Sequence, residues 1–289
     1  MADQYLDHVL IAVRDLAAAG RAYSALGFKV TPEGRHPGRG THNRLAVFGP
    51  AYLELIAIED PAGPLLRPSM GPFLQTREGL FTFAMGTDDI EATCAGLRGR
   101  GVTVSEPSDG ERLAPDGTVA YSWRYASIER DEPAGSDTFI IQHHQNVSER
   151  YAEPAEPTLH SNGVLGIHHL ELAVRDAEKA ASAWQHDFGL PRVSVGRAEG
   201  VLRVRLDLAS AYLDLVSPLR AGPLSEFLER NGEAPYLLAL KVGGISATAS
   251  FLSTRGVPAI SETSGADGES LAVGHDYAQG VPLRFLQSG

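Results

Sequence analysis

Tyr5-Leu6-Asp7-His8-Val9-Leu10-Ile11-Ala12-Val13-Arg14-Asp15-Leu16 returns later in the chain as Gly166-Ile167-His168-His169-Leu170-Glu171-Leu172-Ala173-Val174-Arg175-Asp176-Ala177. His8 maps onto His169 and Val13 onto Val174, both at an interval of 161 residues. A second echo, Tyr52-Leu53-Glu54-Leu55 against Tyr212-Leu213-Asp214-Leu215, falls at an interval of 160. Two echoes at nearly one interval mark a duplication, and a repeat settles the architecture before any single element does.

Around the repeat, the periodicity predicts one unit several times over. Residues 6–13 read as a strand covered on both faces, with β-branched Val9, Ile11 and Val13. Asp15 can cap a helix whose apolar stripe is Leu16, Ala19, Tyr23 and Leu26, and Gly27 ends it. Phe28–Thr31 reads as a second strand, Glu33–Gly40 as a loop, and Arg44–Phe48 and Tyr52–Ile58 as two strands around a Gly49-Pro50 turn. That is β-α-β-β-β. After a Pro/Gly-rich connection the order returns: strand Leu80–Met85, a helix from Asp88-Asp89 to Leu97, strands Val102–Val104, Val119–Tyr125 and Thr138–His143, with 105–118 as a loop. A third unit runs from Ile167 to Pro218, and a fourth follows a short helical segment at Leu224–Leu228. The expected fold class is therefore α+β, four βαβββ modules paired into two domains. One spans 1–147 (modules 1–60 and 78–147), a linker 148–163, the other 164–289 (modules 164–218 and 234–289).

The composition excludes several classes. The 289 residues carry a net charge of −11, which argues against nucleic acid and anionic membrane as partners. No apolar run reaches the ~18 residues of a membrane span, and no basic-then-apolar leader opens the chain, so a cytoplasmic protein is expected. Cys94 stands alone, which rules out an intramolecular disulfide framework. It falls on the apolar stripe of its helix and reads as a core thiol.

The unit order, with Asp7-His8-Val9, Arg14-Asp15-Leu16, the segment Arg35-His36-Pro37-Gly38-Arg39-Gly40-Thr41-His42-Asn43 and Tyr52-Leu53-Glu54-Leu55, resembles the vicinal-oxygen-chelate (VOC) superfamily in its glyoxalase-like branch. The resemblance implies open, cup-shaped mixed sheets with helices outside, and metal ligands on the first and fourth strands of each module. By that pattern His8 and Glu54 are the ligands of module one, and His169 and Asp214 form a second, less complete pair. Modules two and four depart from it. Thr82 and Leu237 fall where histidines are expected, and Phe139-Ile140-Ile141 and Arg284 fall near the carboxylate positions.

Strand alternation puts His8 on a face with Leu6, Leu10 and Ala12, and Glu54 on one with Tyr52 and Ile56. Polar groups so placed are costly unless paired or metal-bound. Gly38 and Gly40 allow close backbone approach, while Arg35, His36, Thr41, His42 and Asn43 offer donors for an oxyanion, and Trp123 and His143 are candidate walls. Two readings stay open. In the first, a divalent metal (Zn, Ni, Mn, Fe or Co) on His8 and Glu54 assists proton transfer next to a carbonyl, with Glu54 and His8 catalytic, as in lyases, isomerases or epimerases of the glyoxalase type. In the second, a metal-free cup sequesters a small molecule, as bleomycin-resistance proteins do. An iron-dependent ring-cleaving dioxygenase is the weakest reading. A homodimer is compatible with all three.

Overall fold

The computed structural model describes residues 4–65, 67–129, 137–145, 159–264 and 268–288. The first half contains β1 (Tyr5–Ala12), α1 (Leu16–Ala25), β2 (Gly34–His36), β3 (Thr41–Val47), β4 (Tyr52–Ile58), α2 (Met70–Thr76), β5 (Gly79–Gly86), α3 (Ile90–Gly99), β6 (Thr103–Val104), β7 (Ser108–Leu113), β8 (Val119–Glu129) and β9 (Phe139–His143). The second contains β10 (Val164–Ala173), α4 (Ala177–Phe188), β11 (Arg192–Ala198), β12 (Val201–Asp207), β13 (Tyr212–Pro218), α5 (Pro223–Asn231), β14 (Ala234–Val242), α6 (Ile245–Thr254), β15 (Ala259–Ser264), β16 (Gly268–Val273) and β17 (Leu283–Gln287). Most of the linker placed at 148–163 lies outside the described residues.

Each half builds one sheet from two modules joined at their first strands. β1 runs antiparallel to β5, and β10 antiparallel to β14. Each first strand also pairs in parallel with the last strand of its module, β1 with β4 and β10 with β13. The second sheet is open, in the order β11-β12-β13-β10-β14-β17-β16-β15. The first curls further: β2 meets β7 through Arg35 and Leu113, which closes the strands into a ring.

Local chemistry starts the helices where the repeat requires. The carboxylates of Asp15, Asp89 and Asp176 accept first-turn backbone N–H groups at the starts of α1, α3 and α4, a cap worth about 1 kcal/mol each. Gly27 takes φ +91° just past α1, a conformation that favours glycine. The buried stripe of α1 is Leu16, Ala19, Gly20 and Tyr23. Cys94 is fully buried in α3, and burial pushes its thiol up.

The outer faces of the two sheets share one apolar core. Val9, Ile11, Leu53 and Phe83 from the first half pack in the same cluster as Leu170, Leu172, Trp184 and Leu213 from the second. The Phe83 and Trp184 rings stack at 5.9 Å. The inner faces form separate clusters, each plugged by a short helix. Met70 and Leu74 of α2 enter the first cup, and Leu224 and Leu228 of α5 the second.

Three expectations need correction. Phe28–Thr31 is not a strand, since only Val30 makes a bridge, to Ala46; the second strand of module one is β2, inside the segment read as a loop. The stretch 105–118 holds β7, because its turn residues Gly110 and Pro115 flank or interrupt a real strand. Leu6 does not share a face with His8. The register against β5 slips between Leu6 and His8, so Leu6 joins the inter-sheet core while His8, Leu10 and Ala12 face the cup. The same slip recurs in β10 between Ile167 and His169.

Candidate functional site: a polar relay inside the first cup

The extra residue at the β1 slip is Asp7, and its carboxylate is fully buried beside His8. Its Oδ1 accepts from His8 Nδ1 at 2.7 Å and from His143 Nε2, on β9, at 3.1 Å. The other face of the His8 ring points into the cup, where Nε2 lies 3.4 Å from Glu54 Oε2. Tyr52, opposite His8 in the β1–β4 register, stacks on its ring at 4.5 Å. His8 is thus held between two carboxylates.

Glu54 is fixed from its other side by β3. Asn43 Nδ2 donates to Glu54 Oε1 at 2.7 Å and to His36 Nε2 at 3.2 Å. Its Oδ1 accepts from Arg112 Nε at 2.7 Å, which settles the orientation of the amide. Because His36 Nε2 accepts, its proton sits on Nδ1, which donates to Thr41 Oγ1 at 2.9 Å. Arg112 also donates to Pro32 O across β2. Gly34 on that strand leaves it room, since a Cβ there would lie 2.2 Å from the Arg112 guanidinium carbon and the side chain would have to shift. The result is a chain of polar contacts across the cup, Arg112, Asn43, Glu54, His8, Asp7 and His143, hydrogen-bonded throughout except for the ion-pair contact of His8 with Glu54.

Its electrostatics follow from burial and partners. Burial opposes charge on Glu54, but the hydrogen bond and charge of His8 outweigh it and hold the carboxyl down at about 2. Asp7 is likewise held well below the carboxylate range, because His143 and His8 outweigh its burial. Burial would lower His8, yet its bonds to Asp7 and Glu54 raise it above the ordinary imidazole value. Burial, with the charges of Arg112, Arg39 and His8, outweighs Glu54 at His36 and pushes it down to about 4. The two carboxylates beside His8 thus favour its protonated form, while burial favours the neutral form of His36.

The relay lines a pocket with about 670 Å³ of empty space, part of it open to solvent. Leu10, Ile56, Trp123, Tyr121, Phe139 and Ile141 supply apolar walls. Gly110 permits one of these, because a Cβ there would lie 2.5 Å from Trp123 Nε1. Of the residues singled out in the sequence, the structure brings together His8, Glu54, His36, Thr41, Asn43, Trp123 and His143. It does not bring in Arg35, whose Nε donates to Glu59 Oε1 outside the ring, or His42, whose Nδ1 lies 3.0 Å from Glu33 Oε1. Gly40 shapes the β2–β3 turn, and its carbonyl accepts from the N–H groups of Glu59 and Asp60. Sequence reading missed Asp7, Arg67 and Arg112.

The donor set does not fit a catalytic metal in the first cup. His8 Nε2 and Glu54 Oε2 are well spaced, but three protein ligands are usual. His36 Nε2, 3.8 Å from Glu54 Oε1, is already the acceptor for Asn43. At the module-two positions stand Thr82 and Phe139, and the Phe139 ring lies edge-on to His8 at 5.5 Å.

In the second cup His169, Glu171 and Asp214 do lie at metal-ligand spacing. Arginines meet their charge instead. Arg205 forks onto Asp214 through Nε at 2.8 Å and Nη2 at 2.7 Å, and Arg203 pairs with Glu171. His168 stands where Asp7 stands in the first cup and meets the His169 ring at Nδ1, 2.7 Å away. These residues too do not fit a metal while both guanidiniums hold the acids.

A family model described as a glyoxalase-like domain matches residues 6–188, well over half of the chain. The chain belongs to this glyoxalase-like family. Among solved structures it is similar to a hypothetical protein from Staphylococcus aureus, with 16% identity over 99% of this chain and 100% of that one, at a TM-score of 0.70. It is similar also to a triple mutant of 4-hydroxymandelate synthase from Streptomyces coelicolor, with 13% identity over 99% and 93% of the two chains, at a TM-score of 0.72. Methylmalonyl-CoA epimerase from Mycobacterium tuberculosis aligns with 45% of this chain and 93% of its own at 22% identity, with a TM-score of 0.43. At such identities the likeness is one of fold. No curated protein matches the sequence. No helix among the described residues is long and apolar enough to cross a membrane.

Proposed function

We propose that the first cup is an active site that moves a proton next to the carbonyl of a small, oxygen-rich metabolite, without a metal. The observation that carries this reading is the contact of His8 Nε2 with Glu54 Oε2, 3.4 Å apart, both groups buried and both lining the pocket. His8, held by Asp7, can donate a hydrogen bond from Nε2 to a carbonyl oxygen. Glu54 can take the proton from the adjacent carbon, the enolate oxygen is stabilised by that hydrogen bond, and Glu54 returns the proton to the carbon. A carboxyl at about 2 is a weak base while His8 is bonded to it. A substrate oxygen that draws the His8 proton away removes the main lowering influence and leaves burial, which raises it. Binding would therefore strengthen the base where it is needed.

The second reading is sequestration of the same kind of ligand. The fully used oxygens of Glu54, one taken by Asn43 and one by His8, favour it. Proton NMR in heavy water separates the two. Wild type is expected to exchange the protons next to the carbonyl of small 2-oxo compounds, and Glu54→Gln to slow that exchange at least ~100-fold. Equal exchange by both proteins overturns the proposal; saturable binding with no exchange by either supports sequestration.

A further inference from the structure

Arg67 sits between β4 and α2 and lines the same pocket. It is only 7% exposed, and its guanidinium carbon lies 4.0 Å over the Phe139 ring. Its backbone is fixed where its carbonyl accepts from Met70 N. Yet Nε and Nη2 are buried without a hydrogen-bond partner. Arg112, the other guanidinium lining the pocket, is committed to Asn43 and Pro32. Leaving donors of a charged group buried and unpaired is costly, so a site that keeps them is expected to fill them with a ligand.

The two orphaned donors identify the ligand. Nε–H and Nη2–H lie along one edge of the guanidinium and point the same way, the side-on fork that matches the two oxygens of a carboxylate. Phe139 fixes the direction, because its ring contacts both the Arg67 guanidinium and the His8 imidazole. A molecule held by Arg67 at one end presents its next carbons to His8 and Glu54.

We infer that Arg67 is the carboxylate anchor of the first cup, and that its ligands are small 2-oxo or 2-hydroxy monocarboxylates whose apolar tails lie against Trp123 and Tyr121. This rests on the first cup being the functional site, but not on proton transfer taking place there. The test is calorimetric titration with pyruvate, 2-oxobutyrate and 2-oxo-4-phenylbutyrate, each against its uncharged carboxamide. Wild type should prefer each acid over its amide by ~50-fold or more. Arg67→Gln should remove the preference and leave amide affinity within ~3-fold. Arg67→Lys, a charge without the fork, should keep part of it.

Equal binding of acid and amide by wild type, a preference that survives in Arg67→Gln, or no saturable binding of any acid overturns the inference. Should Arg67→Gln fail to fold, the wild-type ratio and Arg67→Lys still decide it. Repeating the titration in Glu54→Gln separates this claim from the catalytic one. An acid preference there, with no proton exchange by wild type, keeps the anchor and refutes the chemistry. Exchange by wild type without acid preference does the reverse.

Discussion

Replacing Glu54 by Gln should cost stability as well as chemistry, by an amount the structure allows to be worked out. Gln resembles the protonated acid in shape and charge, so the substitution acts like forced protonation. The fold holds the carboxyl at about 2 against an ordinary value of 4.5, chiefly because His8 outweighs the burial that opposes charge. A lowered carboxyl contributes stability that is fully present above its unfolded value and is lost as pH falls through its folded value. The gap between the two values corresponds to about 3 kcal/mol at neutral pH. In a protein of this size that is a fall of roughly 6–10 °C in Tm. Thermal unfolding followed by circular dichroism at neutral pH should show this fall with an unchanged native spectrum. The difference between the two proteins should narrow from about pH 4.5 downward, as the unfolded wild-type chain takes up a Glu54 proton that the folded one refuses down to about pH 2. Equal midpoints at neutral pH, or a difference that stays constant down to about pH 3, would refute the idea that the His8 contact holds this carboxylate ionised.

Three other outcomes follow from the same geometry. His36 is neutral and held at about 4, below the ordinary 6.5, so the unfolded chain binds a proton that the folded one refuses between those values; stability should fall on acidification through that window, and His36→Asn should flatten this slope in urea titrations. Gly34→Ala should displace the Arg112 guanidinium, lower Tm by several degrees and weaken ligand binding through Asn43, as read by calorimetry. Incubation with EDTA, or with added Ni, Zn, Mn, Fe or Co, should leave proton exchange in the first cup unchanged, and elemental analysis of protein purified without chelator should find less than ~0.2 metal per chain.

The architecture was legible because it is periodic. The interval between His8 and His169, the aspartate caps and the alternating strands each repeat, and each repetition supports the others. The meeting of His8 with Glu54 was legible too, since a polar group on an apolar strand face needs a partner. What escaped lies where periodicity fails. Asp7 reaches His8 only because β1 carries an extra residue, and a one-residue slip leaves no mark in composition. Arg67 and Arg112 come from turn-rich stretches whose path through space is set by the ring and by Gly34. Arg35 and His42 look like site residues in the sequence because Glu33–Gly40 reads as a loop and no strand is expected at 41–43. Once β2 and β3 pair, alternation turns His42 outward and sends its neighbours Thr41 and Asn43 in.

The core that joins the two sheets back to back gives the second half a use independent of any chemistry in its own cup. Its arginines pair with the acids of its own cup, and its outer surface shields Val9, Ile11 and Leu53, the backing of the strands that carry His8 and Glu54. Cutting the chain before Leu159 would strip that shield and leave the first half sticky. Such a fragment should collect in inclusion bodies rather than work alone, and supplying residues 159–289 as a separate chain should return it to solution.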